Sequence, residues 1–575
     1  MPQPYAYSAL LDLLTAQVRT SLIRQVLDPA RPDDGCFLHA DTGFPNADHT
    51  AHSRDLAALC QVYLAEGSAL AGDAALAERI RRGTAFLRRW QRPSGLIDLP
   101  GVDFDSPPDT AFSVQLFAPI VRYARLRAAA GFTPASEVAE QLGGYVHSAG
   151  EAIIGRGFRT PNHRWVVCSA VSQAMREFPE LRARGLPYVE SILAETIDIN
   201  ADGEYSERST GIYNAVVNRA LRYMAECLSR PQLLDHVRAN LRFIGTILEA
   251  DGTVITAISG RQDRGGRAVP VTMADSFFAM AVRDRDPWFA WVADLLVEQA
   301  QRRSPEGHGW GWMVQSFLDQ PGLAAQPELP RQAPPATVER TWTDSRLWFV
   351  KDGPLTAFAS AGTAIPFALR VGEVELRSVR AATNFLHAAP MGGDSFEAIP
   401  GGVRLPRKNY THGWDLPLNR PVRFRECGEY YKVAQTERQH WDHGHLSLCL
   451  TVVREGGDFV LRITSDSNYD RVPAQVELSF DAGGVWRVPG CAMRAAAGGS
   501  AQLRSGHGLY HKGGNAVRVA VDAPAEAHTW WEISHLAGDH DGFRVLLNLQ
   551  TPLDCTIRLT PGLWSPATPD AVLPW

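Results

Sequence analysis

The hydrophobic period of this chain changes once along its length, and that change limits its fold more than any other feature. Up to about Leu318, apolar residues recur at the i, i+3, i+4 spacing of amphipathic helices. After Thr341 they alternate with polar residues at a period of two, as in half-buried strands. The intervening stretch 319–340 is rich in Pro and Ala, which is typical of an interdomain linker. The sequence therefore predicts a helical domain over 1–318, a linker over 319–340 and a β domain over 341–575.

The helical half consists of periodic segments, such as Ala75–Trp90 and Ala111–Ala129, separated by short turns rich in Gly, Pro, Asp and Asn. Short turns between helices predict antiparallel hairpins. Because no clean sequence repeat is present, we expect these hairpins to form a closed (α/α) toroid rather than an open solenoid. Strands and helices do not alternate, which argues against a doubly wound sheet or a β/α barrel.

The second half contains many strand-like runs, such as Leu446–Val453 and Phe459–Thr464, bounded by Gly, Asp and Pro. Turn signals at this frequency predict stacked antiparallel sheets. The expected fold is thus an α+β multidomain protein, with an N-terminal (α/α) toroid of helical hairpins followed by a C-terminal antiparallel β-sandwich. Residues 379–417 follow neither period and predict a long functional loop. Its candidate side chains are Asn384, His387, Tyr410, His412 and Trp414.

Composition argues against several classes of protein. The net charge of -6 provides no basic field for a nucleic-acid backbone, so nucleic acid is not an expected partner. No apolar run approaches the ~20 residues that span a bilayer, and Met1–Leu10 lacks the pattern of a secretory signal. The cysteines are scattered without a CxxC pair, which favours free thiols in a reducing compartment. We expect a cytoplasmic location and no membrane partner, and the oligomeric state stays open.

Three stretches of the helical half, 157–165, 202–213 and 259–266, place chemically useful side chains beside turns. In the first two, a turn leads into a helix, whereas the third is a Gly-rich turn. Together they offer an amide, an imidazole, a phenol and guanidinium groups. The candidate residues, in chain order, are Asn162, His163, Trp165, Arg208, Tyr213, Arg261 and Arg264.

Several of these residues also have a purely structural interpretation. Asn162 would cap a helix that begins near Arg164. Tyr213 would belong to the apolar stripe of its helix, and Arg208 would do no more than pair with a nearby glutamate. Residue type alone leaves both interpretations open.

The combination of these features resembles the heparinase II/III-like and alginate-lyase-like polysaccharide lyases. The resemblance covers the whole chain as architecture, a helical toroid followed by antiparallel sheets. At residue level it rests on Asn162-His163 before one helix, on Tyr213 behind the Asp202-Gly203 turn, and on Arg261. It implies a carbon–oxygen lyase that cleaves a 4-linked uronic-acid glycan by β-elimination. Such enzymes commonly add a His or Tyr, and sometimes a zinc site, from the β domain, for which the candidates are His387, Tyr410 and His412.

The candidate side chains suit that reaction. The proton α to a uronate carboxylate is barely acidic while the carboxylate is anionic, so donors must neutralise it. Asn162, with Arg208 or Arg261 in support, would do so, and such donors contribute roughly 3–4 kcal/mol each when well placed. Tyr213 would protonate the departing O4, and would also remove the C5 proton if elimination is syn. His163 would be the base if elimination is anti, and each positioned acid or base typically contributes about 10²–10⁴-fold.

The same scheme predicts what the protein binds. The partner would be an acidic oligo- or polysaccharide, with Arg264 adding positive charge and Trp165 or Trp414 stacking on sugar rings. No metal or organic cofactor is required, although a structural divalent metal is compatible with the sequence. The uronate, its linkage and the endo or exo mode stay open.

Three other functions use the same residues or their neighbours. A uronyl C5-epimerase would remove the same proton and return it from the opposite face. A glycoside hydrolase would use Asp103, Asp105 or Asp109 as acid and base, although these residues would more simply form a turn and cap the next helix. A carbohydrate-binding protein would show no turnover. Only elimination creates a C4–C5 double bond, which absorbs in the ultraviolet.

Overall fold

The computed structural model describes residues 5–303, 309–324, 329–385, 389–390, 392–414, 440–523 and 541–575. The chain divides into two compact units, Met1–Pro334 and Pro335–Trp575. The division falls inside the stretch predicted as a linker, but that stretch also contains the end of a helix at Asp319 and the start of a strand at Thr337. Within the described residues, no helix has the length and apolar character needed to cross a membrane.

The first unit is helical, apart from two short hairpins. Its helices in the described residues are α1 (Tyr7–Ser21), α2 (His52–Leu64), α3 (Ala74–Trp90), α4 (Pro107–Ala129), α5 (Ala135–Ile153), α6 (Pro161–Glu177), α7 (Arg182–Leu193), α8 (Tyr213–Cys227), α9 (Leu233–Ile247), α10 (Ala274–Asp284), α11 (Pro287–Arg303) and α12 (Trp310–Asp319). The hairpins are β1 (Ile97–Leu99) with β2 (Asp103–Ser106), and β3 (Val254–Ile255) with β4 (Arg267–Ala268).

The helices form two concentric rings. The even-numbered helices α2 to α12 each pack against the next, and α12 packs against both α10 and α2, which closes the inner ring. The odd-numbered helices pack on the outside of their hairpin partners. Every residue of α4 from Pro108 to Val121 is buried, as expected for a helix surrounded by others, whereas outer α3 buries a single stripe. The predicted (α/α) toroid is confirmed.

The second unit contains two large sheets. Its strands in the described residues are β5 (Thr337–Trp342), β6 (Leu347–Asp352), β7 (Leu355–Ser360), β8 (Phe367–Val371), β9 (Val374–Thr383), β10 (Ala389–Pro390), β11 (Glu397–Ile399), β12 (Gly402–Trp414), β13 (His440–Glu455), β14 (Asp458–Ser465), β15 (Pro473–Asp481), β16 (Val485–Val488), β17 (Cys491–Arg494), β18 (Ser500–Gln502), β19 (Gly506–Lys512), β20 (Asn515–Asp522), β21 (Gly542–Gln550) and β22 (Asp554–Leu563).

One sheet has the order β18-β21-β15-β9-β8-β7-β6-β5, with β10 added at β9, and the other has the order β11-β12-β13-β14-β22-β20-β19-β16-β17. All pairs are antiparallel except β18 with β21. Side chains of both sheets, including Phe367 and Val476 of the first and Phe459 and Ile557 of the second, share one apolar core. The predicted antiparallel β-sandwich is confirmed.

The long loop predicted over 379–417 is wrong in large part. Val379 to Thr383 belong to β9, and Gly402 to Trp414 form β12, which pairs with β13 from end to end. The alternation was missed because β12 contains Pro406 and several charged residues. Pairing with β13 satisfies the backbone on that side through hydrogen bonds, whatever the polarity of the side chains.

The Asp202-Gly203 turn offers a test of how closely the loop before α8 packs against α9. Gly203 has a φ of +91°, and a Cβ there would lie 2.6 Å from the backbone oxygen of Ala239 in α9. Gly67 has a similar φ of +79°, but nothing lies within 4 Å of the corresponding position. Gly67→Ala should cost backbone strain alone, about 1–3 kcal/mol, and Gly203→Ala should cost more because the clash is added. Urea unfolding followed by circular dichroism measures both, and equal losses would contradict the packing argument.

Candidate active site

The loops before successive inner helices meet at one end of the toroid. Because the inner helices all follow an outer partner in antiparallel hairpins, their N-termini lie at the same end. Contacts between the loops confirm this arrangement. Arg159 in the loop before α6 donates to Asp103, which precedes α4, at 2.7 Å. Asn162, in the first turn of α6, meets Glu207, before α8. The candidate residues from all three sequence stretches therefore lie together.

A buried carboxylate joins two of the predicted residues. Glu207 Oε2 accepts the backbone N–H of Asn162 at 3.1 Å, and Oε1 accepts from Asn162 Nδ2 at 2.9 Å. Arg261 Nη1 donates to the same Oε1 at 2.5 Å. Burial raises the pKa of Glu207, and its bonds with Asn162 and Arg261 offset only part of that rise.

Tyr213 is the first residue of α8 and lies against the cationic loop. The guanidinium carbon of Arg261 is 4.7 Å from the centroid of its ring, a cation–π contact. Gln262 Nε2 donates to the Tyr213 hydroxyl, and the backbone N–H of Tyr213 donates to Ser209 Oγ at 3.0 Å. The phenol is half-buried, so it combines a fixed position with access to solvent.

His163 follows Asn162 on α6 and is uncharged at neutral pH. Burial lowers its pKa to about 4, and the neighbouring charge of Asp109 offsets only part of that effect. Its Nδ1 is buried and has no hydrogen-bond partner among the described residues. The ring lies edge-on to Phe112, with centroids 6.2 Å apart. A neutral imidazole has one nitrogen that can accept a proton, and the lowered pKa makes His163 a weaker base than a solvated histidine.

A second histidine, His49, lies on the opposite side of this aromatic contact. Its ring stacks on Phe112 with centroids 4.4 Å apart, and its Nδ1 lies 3.2 Å from Asp109 Oδ1. Burial acts to raise the pKa of Asp109, but His49 and Ser106 outweigh it, so this pKa lies below its usual value. Asp109 therefore stays ionised.

The three carboxylates of the hydrolase alternative are occupied by structural contacts. Asp103 pairs with Arg159, Asp105 accepts from Ser94, and Asp109 is held by His49 and Ser106. A general acid needs a raised pKa, which Asp109 does not have. Nothing in this group favours hydrolysis.

Two of the predicted roles are wrong. Trp165 is fully buried, with its Nε1 bonded to Asp198, so no face is available for a sugar ring. Asn162 was expected to donate to a substrate carboxylate, but its Nδ2 already donates to Glu207 and Thr160, which leaves Oδ1, an acceptor, as its unpaired atom. The structural alternative for Asn162 is wrong as well, because the helix begins at Pro161 and Asn162 does not cap it.

The remaining candidates have different surroundings. Arg208 is half-buried with a φ of +55°, and its Nε donates to Glu204 at 3.0 Å, as its structural alternative predicted. Arg264 is exposed. His387 lies outside the described residues, and Tyr410, His412 and Trp414 lie on β12, where the structure describes the backbone alone.

Sequence reasoning missed His49 and Glu207 as members of the site. Both sit in loops that lead into inner helices, α2 and α8, and a search of every such loop for polar side chains would have found them. Among the described residues, no group of three or more His, Cys, Asp or Glu is arranged to hold a metal ion.

No family model and no curated protein matches this chain. Solved structures do. The chain is similar to a mutant of the heparan sulfate lyase HepC from Pedobacter heparinus, at 12% identity over 97% of this chain and 83% of that one, with a TM-score of 0.51. It is similar to the chondroitin AC lyase of Streptomyces coelicolor A3, at 14% identity over 98% and 80%, with a TM-score of 0.51. A Paenibacillus xanthan lyase matches at 12% identity over 96% and 56%, with a TM-score of 0.55.

Because the sequence identity is low throughout, these likenesses show the fold alone. The chain has a polysaccharide-lyase-like fold, as the resemblance in its sequence predicted. Its substrate and its reaction are matters for the site itself.

The partial burial of His163 predicts a pH dependence of stability. Its pKa is about 4 in the folded protein and about 6.5 when unfolded, so between these values the unfolded chain binds a proton that the folded protein excludes. The free energy of unfolding should fall as pH drops through this window. His163→Gln should lose less stability between about pH 7 and about pH 5. Buried His52, whose pKa is also lowered to about 4, remains in the variant and maintains part of the slope. Calorimetry at several pH values measures the difference, and identical slopes would contradict the burial argument.

Proposed function

We propose that this protein is a polysaccharide lyase that cleaves a 4-linked, uronic-acid-containing glycan by β-elimination. The observation that carries the proposal is that Glu207 joins Asn162 to Arg261 and that Arg261 in turn covers the Tyr213 ring, with a neutral His163 beside Asn162. A polysaccharide-lyase-like fold also supports it. So does the meeting of the loops that bear these residues at one end of the toroid.

The reaction divides between the phenol and the imidazole. His163, uncharged at neutral pH, takes the proton from C5 of the uronate, and electrons move to form the C4–C5 double bond as the C4–O4 bond breaks. Tyr213 donates its hydroxyl proton to the departing O4. If elimination is syn, Tyr213 performs both transfers and His163 binds the carboxyl group. No metal takes part in this scheme.

The carboxylate of the uronate meets cations. Arg261 keeps part of its guanidinium exposed beside the Tyr213 ring, and exposed Arg264 follows in the same loop. Positive charge at this point stabilises the enolate-like transition state more than the ground state, because charge accumulates on the carboxyl group as the proton leaves. Asn162 is fully buried, so its part is to hold the Glu207 carboxylate rather than to contact the substrate.

Ultraviolet absorbance tests the proposal directly. Purified protein is mixed with a panel of uronate-containing oligo- and polysaccharides, and the conjugated C4–C5 double bond is followed. Tyr213→Phe should lower kcat by about 10²–10⁴-fold, because it removes the proton donor and leaves the ring in place. Tyr7→Phe is the matched control, since its hydroxyl donates to Glu66 O on the outer side of the toroid.

The outcomes separate the rival functions. Rising absorbance that is lost in Tyr213→Phe and retained in Tyr7→Phe supports the lyase and its acid. Reducing ends without absorbance would indicate a hydrolase, and exchange of the C5 hydrogen with solvent without cleavage would indicate an epimerase. Binding with no turnover on any substrate would indicate a carbohydrate-binding protein.

The pH profile identifies the base. If His163 removes the proton, kcat/KM should stay level on the acid side until the pH approaches about 4, because this ratio reports the free enzyme. A solvated histidine would instead cause the loss near about pH 6.5. Samples returned to neutral pH after acid incubation check that the loss is reversible. An acid limb near the solvated value would show that His163 is not buried as described or is not the base.

A further inference from the structure

Glu207 makes more hydrogen bonds to the candidate residues than any candidate residue makes to another candidate. Its side chain is 5% exposed, and both oxygens are used: Oε2 by the Asn162 backbone, Oε1 by Asn162 Nδ2 and Arg261 Nη1. One carboxylate thus ties the first turn of α6 to the loop that precedes α10.

The backbone of Glu207 binds that same loop. Its carbonyl oxygen accepts the N–H of Gly260 at 3.0 Å, and a Cβ on Gly260 would lie 3.0 Å from this oxygen. The approach is close enough that glycine at 260 lets the two loops touch. Glu207 therefore fixes Arg261 in two ways: its carbonyl binds the neighbouring Gly260 backbone, and its carboxylate binds the Arg261 guanidinium.

The constraint reaches the phenol through Arg261. The guanidinium bound to Glu207 is the one that covers the Tyr213 ring at 4.7 Å. A second carboxylate, Asp263, joins the same loop to the segment before Tyr213: it accepts from Ser209 Oγ and Gly211 N at 3.0 Å each. Ser209 Oγ in turn accepts the backbone N–H of Tyr213.

A buried carboxylate is costly unless donors surround it, and an apolar group of the same size is often more stable at such a position. Burial does raise the pKa of Glu207, which records that cost. Its three N–H donors all belong to Asn162 and Arg261, two residues already assigned to the site by other arguments.

We propose that Glu207 is the positioning residue of this site: it orients the Asn162 amide and the Arg261 guanidinium, and through Arg261 it holds the Tyr213 phenol. The inference rests on the proposed function for its catalytic consequence, but the loop positioning itself is independent of the reaction. Glu207 does not touch substrate; it acts through Arg261 and Tyr213, which are both partly exposed.

Glu207→Gln removes the charge and places an NH₂ group among N–H donors, so at least one bond is lost. A small displacement of a catalytic group costs on the order of 10²-fold, and kcat should fall by about that factor with a smaller change in KM. Glu207→Asp retains the charge on a side chain one methylene shorter and should recover part of the loss. It also serves as the test variant if Glu207→Gln does not fold.

Asp275→Asn is the matched control. Asp275 is a fully buried carboxylate that accepts from Arg219 and Arg222, at 3.0 and 3.1 Å, and neither arginine is a candidate residue. Its substitution breaks comparable buried ion pairs, so it reports what loss of stability alone does to kcat. It should keep the wild-type kcat at temperatures where it is folded.

Hydrogen exchange supplies a readout that needs no activity. Amides of 259–266 should exchange faster in Glu207→Gln than in wild type, and at the wild-type rate in Asp275→Asn. A double-mutant cycle supplies a second readout that needs no activity. The effects of Glu207→Gln and Arg261→Ala on the free energy of unfolding should be non-additive, because the two side chains share one contact.

The outcomes decide between the claims. Lower kcat, faster loop exchange and non-additivity confined to Glu207 variants support the positioning role. Glu207→Gln behaving like Asp275→Asn in kcat and exchange overturns it. If the wild-type protein eliminates nothing, the proposed function fails, and exchange alone then decides: faster exchange in Glu207→Gln supports positioning of the loop, and unchanged exchange overturns it.

Discussion

The closed ring of inner helices is the constraint on which the helical unit depends. Helices surrounded by other helices bury nearly their whole surface, as α4 does from Pro108 to Val121, and leave little room for chemistry along their length. Polar groups that are to meet a substrate must then come from the helix ends. Because hairpin packing places the N-termini of the inner helices at one end, their preceding loops meet there and form the site.

Burial then sets the character of each group in the site. It keeps His163 uncharged at neutral pH, whereas His49 keeps the carboxylate of Asp109 ionised in spite of burial. It also makes Glu207 depend on its donors, since a buried carboxylate has no water to replace them. Asn162 shows the consequence: facing a carboxylate, its amide must present N–H groups to Glu207, so an acceptor remains for other partners.

Much of the fold could be predicted because hydrophobic period is a local property. The change from helical to strand spacing near residues 318–341 predicted both units, and the turns predicted hairpins that close into a ring. β12 was missed because Pro406 and the charged residues hide the alternation, although backbone pairing with β13 along its whole length makes it a strand. The motif residues Asn162, His163 and Tyr213 were found because each stands beside a turn that begins a helix.

The sequence by itself determined the two-unit architecture and the kinds of side chain available at the start of each inner helix. Only the tertiary structure decided which of them meet. Glu207 is 45 residues from Asn162 and 54 from Arg261, and no local pattern links positions so far apart. Trp165 illustrates the same limit: its spacing from Asn162 left its direction open, and in the structure it is fully buried with its Nε1 bonded to Asp198. Side-chain partners are chosen by the closing of the ring, which brings distant loops together after the helices themselves are specified.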